Sequence, residues 1–258
     1  PYRGNTSYPN RIKELNIAAD EIEIGNYAFD YCTLLKTVNA NKISSVGDLA
    51  FYNCPISSFD ATVIGDIGDS AFASTGSLEG LTLGYGVTSI GSQAFASSKI
   101  TEMVIPDSVK SIGEYAFSGC NAMTSLTLGE GIEKIGRNAF YNLANLTELN
   151  YNIVSYPDLP SANDSDALFY ILGNNSSGVT VNVGENVERI PAYLFYPYRG
   201  NTSYPNRILE VNIAADEIEI GNYAFDYCTS LNTVNANKIS SVAVSYTHLR
   251  AHETDSYL

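Results

Sequence analysis

The sequence predicts a right-handed solenoid with coils of about 22 residues and one parallel sheet. A nearly fixed phrase recurs along the chain: an Ile or Val, then Gly, two variable residues, and Ala-Phe. Its first six Phe residues follow one another at intervals of 22, 21, 23, 22 and 23 residues. A short segment of alternating apolar and polar residues begins five or six positions after most of these Phe residues. A period of this size, with one buried phrase per turn, is typical of coils that stack only on their neighbours.

Each position of the phrase has a predicted role. Gly is expected where the chain bends sharply with a positive φ, which Gly adopts at little cost. Ala leaves room for Phe, which fills the coil interior. The rings are therefore expected to stack in one internal column, formed by Phe29, Phe51, Phe72, Phe95, Phe117 and Phe140.

The alternating segments are predicted to be strands. In Leu81-Thr82-Leu83 and Leu126-Thr127-Leu128, apolar side chains should face inward and the polar one outward. Gly84 and Gly129 follow directly and end the strand. Because one coil cannot bury its own apolar face, stacking of coils is obligatory.

The repeat resembles that of the BspA-like leucine-rich repeat family. Residues 108–120, Ser-Val-Lys-Ser-Ile-Gly-Glu-Tyr-Ala-Phe-Ser-Gly-Cys, match its form throughout, and the resemblance covers residues 12–242. It departs over 152–195, where Phe169 and Phe195 follow Leu, Pro191 replaces Gly, and the coils lengthen to 29 and 26 residues. The resemblance implies an α/β-type superhelix like that of leucine-rich repeats. It also implies a secreted or surface-exposed bacterial protein that acts as an adhesin or binding scaffold.

A long duplication organises the chain. Residues 1–46 and 197–242 are nearly identical at an offset of 196 and differ at four positions. We expect residues 1–242 to form a single leucine-rich-repeat solenoid that is a piece of a longer array. Residues 243–258 break the repeat and resemble a translated adapter from short-read DNA sequencing. We interpret them as a non-native tail that packs poorly and contributes no functional residue.

The composition excludes several classes of function. The formal net charge is −14, and −13 without Arg250, Glu253 and Asp255 of the tail. This balance disfavours nucleic acid and anionic membranes as partners. No apolar run approaches the roughly 18 residues of a membrane helix, so membrane insertion is not expected. His248 and His252 are the only histidines, so the rest of the chain cannot build a Ser-His-Asp or Cys-His site or a His-containing zinc site.

All four cysteines follow a Phe by three residues: Cys32, Cys54, Cys120 and Cys228. Other coils hold Thr, Ser or Leu there, which indicates a small or apolar filler, and we expect buried free thiols. A disulfide between Cys32 and Cys54 on adjacent coils is one alternative, and a two-thiolate metal site is another. We predict no metal and no cofactor.

Polar residues that point outward from the strands form two columns across the coils. If the strands line the concave face of a horseshoe, the candidate binding residues are Glu14, Asn16, Thr37, Asn39, Asp60, Thr82, Glu102, Thr127, Glu148 and Asn150. One interpretation is a solvated sheet face with hydrogen bonds between stacked side chains. The other is a shallow polar groove for a protein segment or a glycan. Large aromatic anchors, typical of binding hot spots, are absent from both columns. An alternative contact site is the pair of Pro-Tyr-Arg loops with Tyr2, Tyr8, Tyr198 and Tyr204.

Paired carboxylates are weaker evidence for a functional site than the polar columns. Asp66 with Asp69, and Asp164 with Asp166, lie among polar turn residues, so they are expected to be solvated rather than the acid pair of a glycoside hydrolase. A calcium site at residues 163–166 is an alternative, although the Gly and the terminal Glu of an EF-hand loop are missing.

Three hypotheses of function follow. The favoured one is a non-enzymatic binding region that holds an extracellular protein or glycan. The second is a purely structural stalk that presents another domain. The third, a carbohydrate-active enzyme, would need two carboxylates facing one cleft.

Overall fold

The protein is a stack of parallel β-strand coils. A computed structural model describes residues 11–159, 178–196 and 207–242. All strands are numbered in chain order. Ten of them carry the predicted outward columns of polar residues, and we call the outer surface of these ten strands the polar strand face. They are β1 (Glu14–Asn16), β3 (Thr37–Val46), β4 (Ser58–Val63), β5 (Glu79–Leu83), β7 (Glu102–Val104), β9 (Ser125–Leu128), β11 (Glu148–Tyr151), β12 (Val179–Val183), β14 (Ile208–Ile213) and β16 (Thr233–Ala236).

A second column of short strands was not predicted, because only one sheet was expected. Its members come from the Ile-Gly part of the phrase: β2 (Ile22–Ile24), β6 (Ser89–Ile90), β8 (Ser111–Ile112), β10 (Lys134–Ile135), β13 (Arg189–Ile190), β15 (Ile218–Ile220) and β17 (Ile239–Val242). On the polar strand face the strands run in the orders β1-β3-β4-β5 and β7-β9-β11-β12-β14-β16. The second column contains β6-β8-β10 and β13-β15-β17, while β2 pairs with the end of β3. The handedness of the coil stays a prediction.

The predicted column of Phe rings is confirmed. Adjacent ring centroids from Phe29 to Phe140 lie between 5.1 and 5.6 Å apart, and the ring planes are nearly parallel. The rings from Phe51 onward are fully buried, whereas Phe29 is half-buried. Phe195 stacks on Phe225 at 5.0 Å, which confirms that it substitutes for the Ala-Phe position. Phe169 lies outside the described residues.

The α/β class is wrong, because no helix occurs among the described residues. The arc around Ala-Phe divides its backbone donors, because alternate N–H groups bond to the next coil and the others bond to carbonyls three residues back. Leu49, Phe51 and Asn53 donate their backbone N–H groups to carbonyl oxygens of the following coil at 2.8, 2.8 and 3.0 Å. Leu49 and Asn53 have left-handed φ values of 54°, which turn alternate peptide groups toward the neighbouring coil. A helix would direct these donors to its own carbonyls four residues back.

The role predicted for the repeated Gly is also wrong. Positive φ values among the described Gly residues occur at Gly80, Gly119 and Gly178, none of which belongs to an Ile-Gly pair. Close approach of the preceding coil is what requires Gly. A Cβ on Gly47 would lie 2.5 Å from the Asn26 backbone nitrogen, and one on Gly113 would lie 2.4 Å from that of Ser92. Stacking, rather than a bend, therefore excludes a side chain here.

The cysteine thiols are free and buried, as expected. Cys54 and Cys120 each donate their thiol to the carbonyl oxygen of Phe29 or Phe95 on the preceding coil, with 3.0 Å between sulfur and oxygen. Burial raises the pKa of Cys120 to about 12. A hydrogen bond with Cys32, together with burial, raises the pKa of Cys54 far above its ordinary value. These protonated thiols act as buried, hydrogen-bonded fillers.

The irregular region uses Asp158 to join two coils. Pro191 stands in the Gly position, and the next residue, Ala192, donates its N–H to Asp158 Oδ1 at 2.7 Å. The Arg189 guanidinium bridges Asp158, at 2.7 Å, and Glu219 of the following coil, at 3.0 Å. Partial burial by itself raises the pKa of Asp158, but the hydrogen bonds from Arg189 and Ala192 outweigh it and lower that pKa. Three consecutive coils are thus fastened at the place where the repeat departs from its pattern.

Candidate functional site

The candidate site is the polar strand face, where the predicted columns are in register over most of the stack. In the first column, Glu14 pairs with Thr37 and Thr37 with Ser58, and further along Ser125 lies between Glu102 and Glu148. In the second column, Asn16, Asn39 and Asp60 are consecutive partners, and Thr127 pairs with Asn150. The parallel sheet therefore brings nine of the ten predicted residues into two rows, in two stretches separated between β5 and β7.

Thr82 is the exception. Its partner is Thr62, whereas the outward residue Asp60 pairs with Asn39, so Thr82 lies outside the predicted column. The register shifts between Ser58 and Ala61 of β4, opposite Gly80, which has a φ of 88°. The extra residue belongs to β4, where Phe59 and Asp60 lie opposite Gly80 alone, as in a β-bulge, and every later side chain is displaced. The alternation in the sequence cannot reveal such a shift.

Two further members of the columns were missed. Thr180 pairs with both Glu148 and Glu210, and Asn182 pairs with both Asn150 and Asn212. The strand Val179–Val183 has the alternating pattern, followed by Gly184, which was the signal available in the sequence. It was overlooked because the coil containing it departs from the common length.

Asparagine side chains in the second column form a ladder. Asn39 donates to Asn16 at 2.6 Å, and Asn150 donates to the hydroxyl of Thr127 at 3.2 Å. The ladder then continues without interruption through Asn182, Asn212 and Asn235, with nitrogen–oxygen distances of 2.9, 3.1 and 2.8 Å. Asn150, Asn182 and Asn212 each donate to the preceding coil and accept from the following one, which supports the first interpretation of this column, as a hydrogen-bonded sheet face.

The carboxylates of the first column lie beside this ladder. Glu14 accepts a hydrogen bond from Asn16 at 3.0 Å, Glu148 from Asn182 at 3.1 Å, and Glu210 from Asn235 at 3.1 Å. A carboxylate has about four acceptor sites on its two oxygens, so one amide contact leaves acceptor capacity for a ligand. The amides hold these carboxylates in place at the surface. The arrangement can accept hydrogen bonds and pair with cations.

The carboxylates of the turns have a structural role. Asp66 Oδ1 accepts hydrogen bonds from the backbone and hydroxyl of Thr88 and from the backbone of Ser89, at 2.8 to 3.0 Å. Partial burial by itself raises the pKa of Asp66, but these hydrogen bonds outweigh it and lower that pKa. Asp69 Oδ1 accepts from the Ser92 N–H at 2.6 Å. The general acid of a glycosidase needs a raised pKa, which Asp66 does not have.

A cluster of tyrosines at the outer turns was not predicted. Tyr193 stacks on Tyr223 with centroids 4.9 Å apart, and Tyr196 packs edge-on against Tyr227 at 5.5 Å. These rings lie in the turns and not in the two strand columns, which contain no large aromatic residues. The signal in the sequence was Tyr around the Phe of each phrase: Tyr223 before Ala-Phe and Tyr227 two residues after it, and in the coil before, Tyr193 ahead of Leu-Phe and Tyr196 directly after it. The tyrosines that were predicted as contacts, Tyr2, Tyr8, Tyr198 and Tyr204, lie outside the described residues.

Metal sites and membrane spans can be assessed over the described part of the chain. Across residues 11–159, 178–196 and 207–242, no three His, Cys, Asp or Glu side chains lie close enough together to hold a metal ion. In the same ranges, no helix has the length and apolarity to cross a bilayer. The calcium alternative at residues 163–166 and both histidines fall outside them.

These features define the protein as a parallel β-solenoid repeat protein with one polar strand face. The model of the BspA type leucine-rich repeat region matches six copies, over residues 5–120, 45–158 and 200–253. The chain therefore belongs to the BspA type leucine-rich repeat family.

Solved structures show a distant likeness. A leucine-rich cell surface protein from Faecalibacterium prausnitzii is 20% identical, with 96% of this chain and 78% of that one covered and a TM-score of 0.38. A leucine-rich repeat protein from Bacteroides ovatus is 19% identical, with 89% and 75% covered and a TM-score of 0.41. The pneumococcal vaccine antigen PcpA is 15% identical, with 85% and 67% covered and a TM-score of 0.38. These TM-scores are low, so the likeness carries no argument. No curated protein matched the chain by sequence.

Proposed function

We propose that this chain is a non-enzymatic, adhesin-like binding region of a secreted or cell-surface bacterial protein. Its polar strand face would hold an extracellular protein or a glycan. The family supports this proposal, because BspA type leucine-rich repeats are typical of bacterial surface proteins.

One observation carries the proposal: carboxylates are held at regular intervals along a rigid face. Glu148 and Glu210 are separated by Thr180 alone in the register of the sheet, and each is fixed by an amide of the neighbouring ladder. A side chain that is already ordered loses little entropy when a ligand binds, so such a face is suited to recognition.

The test is a binding array of extracellular-matrix proteins and glycans probed with the whole chain. The informative variant replaces three carboxylates of the first column: Glu102→Ser, Glu148→Ser and Glu210→Ser. Ser58 and Ser125 occupy this column in other coils, so the fold accepts Ser there. The variant is expected to lose the signals that the parent chain gives.

A matched control removes carboxylates elsewhere. Glu114 follows the repeated Gly on a turn, in the position that Ser92 occupies one coil earlier, so Glu114→Ser changes charge but leaves the polar strand face intact. Signals that fall equally in this variant would indicate general charge attraction. A silent array for the parent chain would contradict the proposal.

A purely structural stalk is the second candidate, and the asparagine ladder favours it. The ladder from Thr127 to Asn235 consumes polar groups in contacts between coils, which is what a spacer requires. A stalk should tolerate a change in the number of coils. Deletion of one regular coil, residues 91–112, would then leave surface presentation of an attached domain unchanged, whereas a binding face would lose part of its ligand contacts.

A further inference from the structure

Four tyrosines form one aromatic surface across two coils. Tyr193 and Tyr196 come from the turn after β13, and Tyr223 and Tyr227 come from the turn after β15. Tyr193 also packs edge-on against Tyr196 at 5.7 Å, which joins the two pairs into a single cluster. Tyr227 is 41% exposed and the other three are half-buried, so the cluster packs partly against the protein and is partly accessible to a partner.

At three of these positions the backbone has a conformation that is unfavourable for Tyr. Tyr193, Tyr223 and Tyr227 have φ values of 58°, 58° and 59°, a region in which bulky residues are outliers. Other coils place small residues at the equivalent positions with the same conformation: Ser70 and Asn138 before Ala-Phe, and Ser74, Ser97 and Gly119 two residues after Phe. The coil therefore does not need an aromatic ring there, which points to a role for the rings outside folding.

The cluster lies in a field of negative charge. Asp226 lies between Phe225 and Tyr227, and its Oδ1 accepts the Tyr227 N–H at 3.1 Å. Burial raises the pKa of Tyr193, with contributions from Tyr223 and from the negative charge of Asp226. The whole chain carries a net charge of −14, which attracts cationic partners over a distance. The faces of aromatic rings add to this attraction, because their quadrupole is negative above the ring.

We propose that Tyr193, Tyr196, Tyr223, Tyr227 and Asp226 bind a segment of a partner protein that carries Arg or Lys side chains. This inference rests on the proposed function and narrows it, since it names a second contact site and the chemistry of the partner. A guanidinium or ammonium group within about 6 Å of a ring centroid gains a cation–π interaction. The centroids are 4.9 to 5.7 Å apart, so a short segment with several basic side chains can contact more than one ring, while Asp226 pairs with a basic group. A neutral glycan would gain nothing from the acidic charge.

The duplication supplies a matched control for the test. Tyr27 and Tyr31 are the counterparts of Tyr223 and Tyr227 in a nearly identical sequence, with φ values of 58° and 54°. There the ring of Tyr31 meets Tyr52 at 5.4 Å, in place of the neighbours that Tyr193 and Tyr196 provide. The variants to compare are Tyr223→Ser with Tyr227→Ser, and Tyr27→Ser with Tyr31→Ser. Ser70 and Ser74 show that the coil accepts Ser at both positions.

Binding is measured by isothermal titration calorimetry of the full chain with the peptide Gly-Arg-Gly-Arg-Gly-Arg-Gly. The peptide Gly-Ser-Gly-Ser-Gly-Ser-Gly and the neutral glycan cellohexaose are the comparison probes. The Tyr223 and Tyr227 variant is expected to weaken binding of the Arg peptide about tenfold, and the Tyr27 and Tyr31 variant less than about twofold. Asp226→Asn, which leaves all four rings in place, is expected to weaken binding and to reduce its dependence on salt.

Four results would overturn the proposal. Equal losses in the two tyrosine variants would mean general attraction to an acidic protein, and no binding of the Arg peptide would remove the site altogether. Binding of cellohexaose that depends on Tyr223 and Tyr227 would reassign the cluster to glycans. If the array signals persist in the Tyr223 and Tyr227 variant but vanish in the variant of the polar strand face, this inference fails and the proposed function stands.

Discussion

Residues 11–46 and 207–242 have nearly the same sequence but differ in burial, and the sense of the difference changes from the first coil to the next. Ile208 is fully buried while its counterpart Ile12 is 38% exposed. In the following coil the order reverses, because Ile43 is fully buried while Ile239 is 38% exposed. The four differences between the two segments, such as Lys13 against Leu209, do not include these positions.

The neighbouring strands explain the contrast. Among the described residues, β14 has β12 and β16 on its two sides, whereas β1 has β3 alone. Conversely, β3 lies between β1 and β4, whereas β16 has β14 alone. In a solenoid, each coil is covered by the coils on its two sides and contacts no others. The same residue is therefore a core residue or a surface residue according to which coils flank it.

The largest expected loss of stability is at a Phe ring that has a coil on each side. Phe95 lies between Phe72 and Phe117 at 5.2 and 5.1 Å, and it is fully buried. Phe95→Ala is expected to lower the free energy of unfolding by about 3–5 kcal/mol, through lost burial and the cavity left behind. Urea denaturation followed by circular dichroism measures it. Phe29→Ala, at a half-buried ring, should cost clearly less; an equal cost would mean that the end coils are as well packed as the middle.

The reciprocal isoleucines test the comparison directly. Ile208→Ala is expected to destabilise the protein by about 2–4 kcal/mol and Ile12→Ala by less than about 1 kcal/mol. In the next coil, Ile43→Ala should be the costly substitution and Ile239→Ala the mild one. Urea denaturation of the four variants gives the values. Similar costs within either pair would contradict the assignment of burial to neighbouring coils.

The repeated Gly provides a second matched pair. A Cβ on Gly221 would lie 2.5 Å from the backbone nitrogen of Ala192, whereas one on Gly25 would meet no atom within 4 Å. Gly221→Ala is therefore expected to cost about 1–3 kcal/mol through overpacking, and Gly25→Ala should be close to neutral. Thermal unfolding of both variants is the measurement. A large loss at Gly25 would show that its coil is packed on the side where the described residues leave space.

The smallest expected loss of stability is at the contacts of Asp158 with Arg189 and Ala192, which precede residues 207–242. The folded pKa of Asp158 is lowered, so its carboxylate stabilises the folded protein above the ordinary Asp pKa of about 3.9. That contribution is lost as the pH falls through the lower folded value. Asp158→Asn should therefore lower the free energy of unfolding at pH 7 by less than about 1 kcal/mol, because the ion pair with Arg189 is partly exposed. The melting temperature should fall slightly at pH 7 and hardly at all near pH 2.

Asp20→Asn, at an exposed residue of segment 11–46, is the control for the loss of one carboxylate. A difference between Asp158→Asn and the parent that grows on acidification would have the wrong sign and would exclude the ion pair with Arg189.

The sequence predicted the features that one coil carries within itself. The period of Phe, the inward and outward alternation of the strands, and the fillers at Cys54 and Cys120 are local patterns, and each was confirmed. The predicted α/β class failed because the arc around Ala-Phe directs alternate backbone donors to another coil, which no local propensity records. The prediction for Thr82 failed because one extra residue in β4 changed the register between β4 and β5. Whether the polar columns bind a ligand stays a prediction.

The repeating sequence by itself determined that coils form and that they must stack, since each has one apolar side and cannot bury it alone. Only the tertiary structure decided which contacts the stacking produces. It assigned the repeated Gly to close approach of coils, linked asparagines up to 32 residues apart into a ladder, and assembled four tyrosines from two turns into one surface. The physical reason is that these interactions join equivalent positions of successive coils. Their partners are set by the stacking register and by the length of each coil, including the two that depart from the common period.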